Sequence, residues 1–216
     1  MVFVDAGANL GQYTLLAAQR VGASGQVHSF EPSMRMFNEL SYNVTLNSLN
    51  GICTLNNAAL SNLEGTGRLS RYLPGAEVYG SLGRSADPYG RITGYDEVKV
   101  TTLDLYAQEN AIKHIDMLKI DIEGAELPAL RGAHSILGGE DGPAIIIEMA
   151  DCNTAAFDYK AIEIWDYLVS LGYAWFAFDK RARLSPASRP GDFEAARNLV
   201  ALKGTDRLRA LQSARF

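Results

Sequence analysis

Short apolar runs of strand length alternate along this chain with stretches whose apolar residues return every three or four positions. Val2-Phe3-Val4 opens as a β-branched and aromatic run and ends at Asp5-Ala6-Gly7. Residues 11 to 21 follow as a helix, and Gln26 to Phe30 as a second strand ending at Glu31-Pro32. From Met34 to Leu46, Phe37, Leu40 and Val44 fall at helical spacing. Ile52 to Leu55 reads as a third strand, and Met117 to Ile120 as a fourth ending at Asp121. Glu126 to Leu137 reads as one helix, with Leu127, Leu130 and Leu137 on a stripe and Gly138-Gly139 as its stop. Ala144 to Ile147 is a fifth strand ending at Glu148. Ala161 to Leu171 is a helix with Ile164/Leu168 and Trp165/Val169 as i,i+4 pairs. Ala174 to Phe178 and Leu199 to Leu202 are the last strands. No periodic helical segment lies between them, so they are expected to form an antiparallel pair at one edge.

Strands alternating with helices predict a mostly parallel sheet covered by helices on both faces. The rhythm breaks between Ser61 and Glu97, which is rich in Gly, Ser, Tyr and Arg and too long for an ordinary connection. Arg68 to Tyr72 and Val98 to Thr101 alternate within or beside it, and both are expected as strands next to the main sheet. The first strand begins at Met1 and the last ends near Lys203, so one domain is expected to use nearly all 216 residues.

Composition narrows the class. Hydrophobic residues make up 47% and charged residues 21%, ordinary for a globular protein and wrong for a disordered, collagenous or coiled-coil chain. The formal net charge of -5 gives no bulk attraction to nucleic acid or anionic membrane. No apolar run reaches the roughly 18 residues of a membrane helix. The N-terminus lacks a basic region and a cleavage site. Two cysteines, Cys53 and Cys152, stand without CxxC spacing. Together these features predict a reducing, cytoplasmic setting with buried, inert thiols. His28, His114 and His134 are expected to be structural.

The first strand turns into Asp5-Ala6-Gly7-Ala8-Asn9-Leu10-Gly11. A glycine-bearing turn between strand and helix lets a ligand approach the backbone and aims a helix N-terminus at it. Against G-x-G-x-x-G, Asn9 stands at the second glycine's position in Gly7-x-Asn9-x-Gly11, and Gln12 where the last glycine should be, so the pyrophosphate seat is damaged. Glu31, twenty residues past Gly11, is placed to grip two ribose hydroxyls. Ribose recognition without a pyrophosphate seat fits an adenosine cofactor lacking phosphate, and S-adenosylmethionine is the candidate. Asp5 and Asn9 would serve its amino acid end.

These segments, with Phe30-Glu31-Pro32, Asn57-Ala58-Ala59-Leu60-Ser61, Thr102-Leu103-Asp104, Lys119-Ile120-Asp121-Ile122-Glu123-Gly124-Ala125-Glu126, Gly172-Tyr173 and Asn198 to Ala201, stand in the order seen in FkbM-type methyltransferases. The resemblance covers nearly the whole chain, and the Lys119 to Glu126 segment is its most specific part. It implies an α/β class I methyltransferase (Rossmann-like) three-layer sandwich, with a mostly parallel seven-stranded sheet and an antiparallel C-terminal edge pair. It also implies S-adenosylmethionine and O-methylation of a hydroxyl on a sugar, glycolipid or natural-product acceptor. By position, Asp5, Gly7, Asn9 and Gly11 would line the methionine end, Glu31 would hold the ribose, and Asn57 and Ala58 would flank the adenine. Family members usually carry some chain before this first strand, so an element contributing to acceptor binding is expected to be missing here.

Acid residues crowd the end of strand four. Methyl transfer to a hydroxyl needs in-line positioning and a base for the proton. Asp121 and Glu123 are equal candidates for that base, because a crowded apolar site raises a carboxylate's pKa. Asp121 would also border the cofactor. Glu126 is read as a helix N-terminal acid. Glu148, on the neighbouring strand tip, opens an alternative in which it and Asp121 hold Mg²⁺ with help from Asp151 or Asn153; the primary expectation is no metal. Arg68, Arg71, Tyr72, Tyr79, Arg84, Tyr89 and Arg91 mark residues 61–97 as the acceptor-recognition insertion, for a small-molecule or glycan partner and not a nucleic acid. A homodimer is an open option. The alternative functions are an NAD(P)-dependent Rossmann oxidoreductase and a non-catalytic S-adenosylmethionine-binding module.

Overall fold

The computed structural model describes residues 1–72, 82, 92–179 and 183–204. β1 (Val2–Ala6), α1 (Gln12–Val21), β2 (Gln26–Phe30), α2 (Met34–Leu46) and β3 (Cys53–Asn56) run in the predicted order. β4 (Ala59–Leu60), β5 (Gly65–Tyr72), β6 (Ile92–Thr101) and α3 (Leu103–Glu109) follow. Next come β7 (Met117–Ile120), α4 (Glu126–Arg131), α5 (His134–Gly138), β8 (Ala144–Met149) and α6 (Asp151–Thr154). The last elements are α7 (Ile162–Ser170), β9 (Ala174–Phe178), β10 (Leu184–Pro186) and β11 (Arg197–Leu202).

Among the described residues, eight strands form one sheet in the order β10-β9-β11-β8-β7-β1-β2-β3. β8, β7, β1, β2 and β3 are mutually parallel. Alternation within each strand sorts side chains between two helical layers. Val4 and Ala6 join Leu118, Ile120, Ile145 and Ile147 against Leu127, Leu130, Ile164 and Leu168, whereas Phe3 and Val27 pack on Ala17, Ala18, Leu40 and Val44 of α1 and α2. Each fully buried aliphatic side chain contributes about 1.5–3 kcal/mol, so the three-layer arrangement is held chiefly by these strand faces.

Two features depart from the sequence reading. The sheet has eight strands rather than seven, because Leu184-Ser185-Pro186 pairs with β9 at the outer edge, a position that tolerates proline. β9 and β11 form the expected antiparallel pair at this end of the sheet, with β11 inserted between β8 and β9. Leu199 to Leu202 are all buried, and a continuous apolar run is what a strand covered on both faces requires. The single helix from 126 to 137 is two helices. At the break, a Cβ on Gly132 would overlap the Ser61 carbonyl oxygen, and the Asp104 carboxylate accepts from the N–H groups of Ser135 and Ile136 at 2.8 and 3.1 Å. That distant side chain restarts the helix by satisfying its first donors.

The long insertion builds a second sheet, β4-β6-β5. Both expected strands are present, and as β5 and β6 they pair into an antiparallel ribbon over Gly65 to Tyr72 and Ile92 to Val100. Tyr79, Arg84, Tyr89 and Arg91, like the C-terminal Arg207, Arg209 and Arg215, lie outside the described residues. His28 is buried with its Nδ1 2.8 Å from the Tyr106 hydroxyl, a structural role. Cys53 is buried as expected, but Cys152 is exposed, because it stands on the outer side of α6.

Candidate active site

A cavity of about 370 Å³ opens beyond the C-terminal ends of β1, β2 and β7, where a parallel sheet presents its ligand crevice. Its walls include Gly7, Asn9, Glu31, Ala58, Lys119, Asp121, Ile122 and Glu123, with Leu69 of the ribbon and Leu82 above them. Gly11, Asn57 and Asp5 support this wall from behind.

The glycine turn is built by close approach. Gly7 has φ +75°, and a Cβ there would overlap the Asp121 carbonyl oxygen. The N–H groups of Gly7 and Ala8 both donate to the Phe30 carbonyl, at 3.0 and 2.9 Å, which folds the turn over the end of β2. Gly11, at φ +93°, caps α1 and sits against Leu40. Asn9 is also left-handed at φ 50°, a conformation asparagine tolerates better than most residues.

Glu31 is buried and fully engaged. Its Oε2 accepts from Asn9 N at 2.9 Å and its Oε1 from Ser33 N at 2.8 Å. Burial raises its pKa, while those two donors and Lys119 pull it back. Each oxygen keeps a further lone pair for a ligand hydroxyl. Asn57 turns away from the cavity: its amide donates to the carbonyls of Glu31 and Pro32 at 2.9 and 3.1 Å and braces the turn that presents Glu31.

Asp5 faces α1 rather than the ligand space. It is completely buried, accepts from Thr14 Oγ1 at 2.7 Å, and has the Lys119 ammonium 3.5 Å from its other oxygen. Burial raises its pKa, and Lys119 opposes the shift. Lys119 is the residue that sequence reasoning passed over. It is 5% exposed in the middle of an apolar strand, and such a position is itself a signal because a lysine is seldom buried unpaired. Its Nζ donates to the carbonyls of Ala6 and Gly7 at 3.2 and 2.8 Å, and lies 3.8 Å from Asp121 Oδ2. One ammonium thus ties the glycine turn to two carboxylates.

At the β7 end, Glu123 has φ 53° and is followed by Gly124 at φ +100°. A left-handed non-glycine residue costs about 1 kcal/mol and is held only where its surroundings impose it. Glu126 imposes part of this: its Oε1 accepts from the N–H groups of Ile122 and Gly124 at 3.0 and 3.2 Å. It therefore secures the turn as well as opening α4, and it lies behind the cavity wall. Burial lifts its pKa to about 7 despite these donors. Tyr159 closes the turn, donating to the Gly124 carbonyl at 2.7 Å.

Glu123 lines the cavity, and its pKa is raised to about 8, first by burial and then by Asp121, Glu148 and Glu126, with Lys119 opposing. Glu148 stands on β8 beside Asp121, as strand pairing predicts, and is itself raised by burial and by Asp121. Among the described residues no group of three His, Cys, Asp or Glu side chains is arranged to hold a metal ion, so the donor set for Mg²⁺ is not assembled there.

The glycine turn, the acid at β2 and the Lys119 to Glu126 segment coincide with a family match: the model described as Methyltransferase FkbM domain fits residues 5–174. The chain belongs to the FkbM methyltransferase family. That membership sets aside the oxidoreductase alternative. Two fungal relatives are 29% identical, Methyltransferase 1 of Beauveria bassiana over 143 residues and Methyltransferase sdnD of Sordaria araneosa over 154. Each alignment covers 60% of this chain, and 57% and 59% of the relatives, so the chain spans under two thirds of their length. Among solved structures, an FkbM methyltransferase from Methylobacillus flagellatus superimposes with a TM-score of 0.56 at 18% identity, over 93% of this chain and 43% of that one. An rRNA methylase described as putative, from Clostridium thermocellum, reaches 0.51 at 12% identity, over 94% and 87%. The fold is the class I methyltransferase fold. No helix among the described residues is long and apolar enough to cross a membrane.

Proposed function

We propose that this FkbM-family chain is an S-adenosylmethionine-dependent O-methyltransferase acting in the cytoplasm on a hydroxyl of a sugar, glycolipid or natural-product acceptor. The residues fit the cofactor. The cavity is of the size that encloses such a ligand, the Gly7 turn leaves no room for a side chain, and Glu31 retains lone pairs for ribose hydroxyls. S-adenosylmethionine, when bound, would supply a methyl group on a cationic sulfur that keeps the bonding electrons as the methyl leaves. Gly7 and Asn9 would line the methionine end, with Asp5 and Gly11 holding the turn behind them, and Ala58 would border the adenine.

The observation that carries the reading is Glu123, a cavity-lining carboxylate with its pKa lifted to about 8. A base near the working pH combines a usable ionised fraction with real proton affinity. As the acceptor oxygen takes the methyl carbon, its proton passes to the Glu123 carboxylate. Asp121, the other candidate, stands 3.8 Å from Lys119 and serves as its counter-ion. Because the reacting form of Glu123 is ionised, turnover should rise as pH rises through about 8.

The ribbon is the acceptor platform of this reading. Leu69 and Leu82 reach the cavity, while Arg68 lies 4.4 Å over the Tyr95 ring. Arg71 is taken by Asp96 at 2.7 Å. The test is calorimetry with S-adenosylmethionine and S-adenosylhomocysteine, followed by transfer of labelled methyl to a panel of sugars, glycolipids and natural-product alcohols. Absence of binding heat would refute the cofactor. Binding without transfer to any class would leave the binding-module alternative standing.

A further inference from the structure

Asn153 sits where the ends of β7 and β8 meet α6. Its Nδ2 donates to Glu123 Oε2 at 3.0 Å and to Glu148 Oε2 at 3.4 Å. That nitrogen carries two hydrogens, so both bonds are made together. Its Oδ1 accepts from Cys152 Sγ at 3.4 Å, which keeps the donor side of the amide toward the acids. The backbone beneath it is pinned. A Cβ on Gly124 would overlap the Asn153 carbonyl oxygen, so the turn after Glu123 packs directly on this residue. Asp151, two residues earlier, accepts from Ala161 N at 2.9 Å and from Phe193 N at 2.8 Å, and its own N–H donates to the Phe193 carbonyl at 3.0 Å.

We propose that Asn153 is a positioning residue for the catalytic base: its amide holds Glu123 in one orientation at the cavity and, by donating to Glu148 as well, lets a second carboxylate stand beside it. This rests on the reading of Glu123 as the base. Asn153 itself touches no reacting atom. Among the described residues, the charged groups that act on Glu123 are Lys119 of β7, Asp121 just after it, Glu126 of α4 and Glu148 of β8, and of these only Lys119 favours the charged form. The Asn153 amide is a second such influence, because a hydrogen bond to a carboxylate stabilises its ionised state. Removing it leaves Glu123 among three acids, and its affinity for a proton rises further.

The test needs no acceptor. The full chain is labelled with glutamate carrying ¹³C at the carboxyl, and Glu123 is assigned as the resonance lost in Glu123→Gln. Its upper titration midpoint should move to higher pH by about one unit in Asn153→Ala, a tenfold loss of ionised fraction at a fixed pH below it. Asn153→Asp, which keeps the side-chain shape and exchanges a donor for a charge, should move it further. S-adenosylhomocysteine binding by calorimetry checks that each variant is folded, and the Asp variant carries the test should the Ala variant fail. An unmoved midpoint in a folded variant would overturn the role of Asn153. If Glu123 in the unsubstituted chain instead titrates at the ordinary carboxylate pH, the base assignment fails first, so the two failures are told apart.

Discussion

Glu31 and Glu123 stand at two ends of one cavity, and both are carboxylates pushed toward protonation by burial. Their partners differ. Glu31 has a backbone N–H on each oxygen, and backbone donors at a fixed turn cannot move away. It is a rigid acceptor, suited to holding a ligand that does not react. Among the described residues, Glu123 has a side-chain amide as a donor and three acids around it, so its charge is expensive and its proton exchangeable. Desolvation of two carboxylates therefore yields a grip at one end and a proton acceptor at the other. Lys119 lies between them, pulling both acids toward ionisation while bonding the glycine turn.

The sharpest way to break this contrast is Glu123→Gln. Turnover on an acceptor should fall by about 10²–10⁴-fold with cofactor affinity unchanged, as steady-state kinetics and calorimetry would show. A comparable loss of cofactor binding would place Glu123 with Glu31 instead. Gly7→Ala should act in the opposite sense. Its Cβ would meet backbone, so the turn must shift; cofactor binding should drop by about a hundredfold and stability by about 1–3 kcal/mol in a urea titration. Glu31→Ala should weaken cofactor binding by about tenfold and loosen residues 9–33, while an acceptor-saturated turnover stays within a few-fold.

The smallest effect is on stability against pH. Glu123 and Glu126 have folded-state values of about 8 and about 7, both raised above the ordinary carboxylate value. Such groups support the fold when protonated, so stability is full in acid and is lost as pH rises through these values. The melting temperature should decline between about pH 4.5 and about pH 8, and Glu126→Gln should flatten the decline. A melting temperature that rises across this range would show that the backbone donors to Glu126 outweigh its burial.

Much of this was legible in the linear chain. The alternation of strand and helix, the turn from Asp5 to Gly11, and Glu31 and Asp121 just beyond their strands were read from local pattern, because a strand's period and a turn's glycines are set by neighbouring residues. Asn57 was legible as a residue of the site but not as a brace: its target carbonyls lie 25 and 26 residues away. The break between α4 and α5 had no local signal beyond Gly132, because the capping carboxylate comes from Asp104. β11 carried a signal in its unbroken apolar run, yet its seat between β8 and β9 depends on pairing across the whole C-terminal region.

The chain by itself determined that a strand-turn-helix unit opens the fold, that acids crowd the end of β7, and that this pattern is shared with FkbM methyltransferases. Those features depend on residues within a few positions of each other. Only the tertiary structure decided which acid keeps a proton, which is locked to backbone, and which is answered by Lys119. Proton affinity is a sum over charges, donors and exclusion of water from every element that packs around a group. For Glu123 that sum runs over β7, α4, β8 and α6, which no segment of sequence holds together.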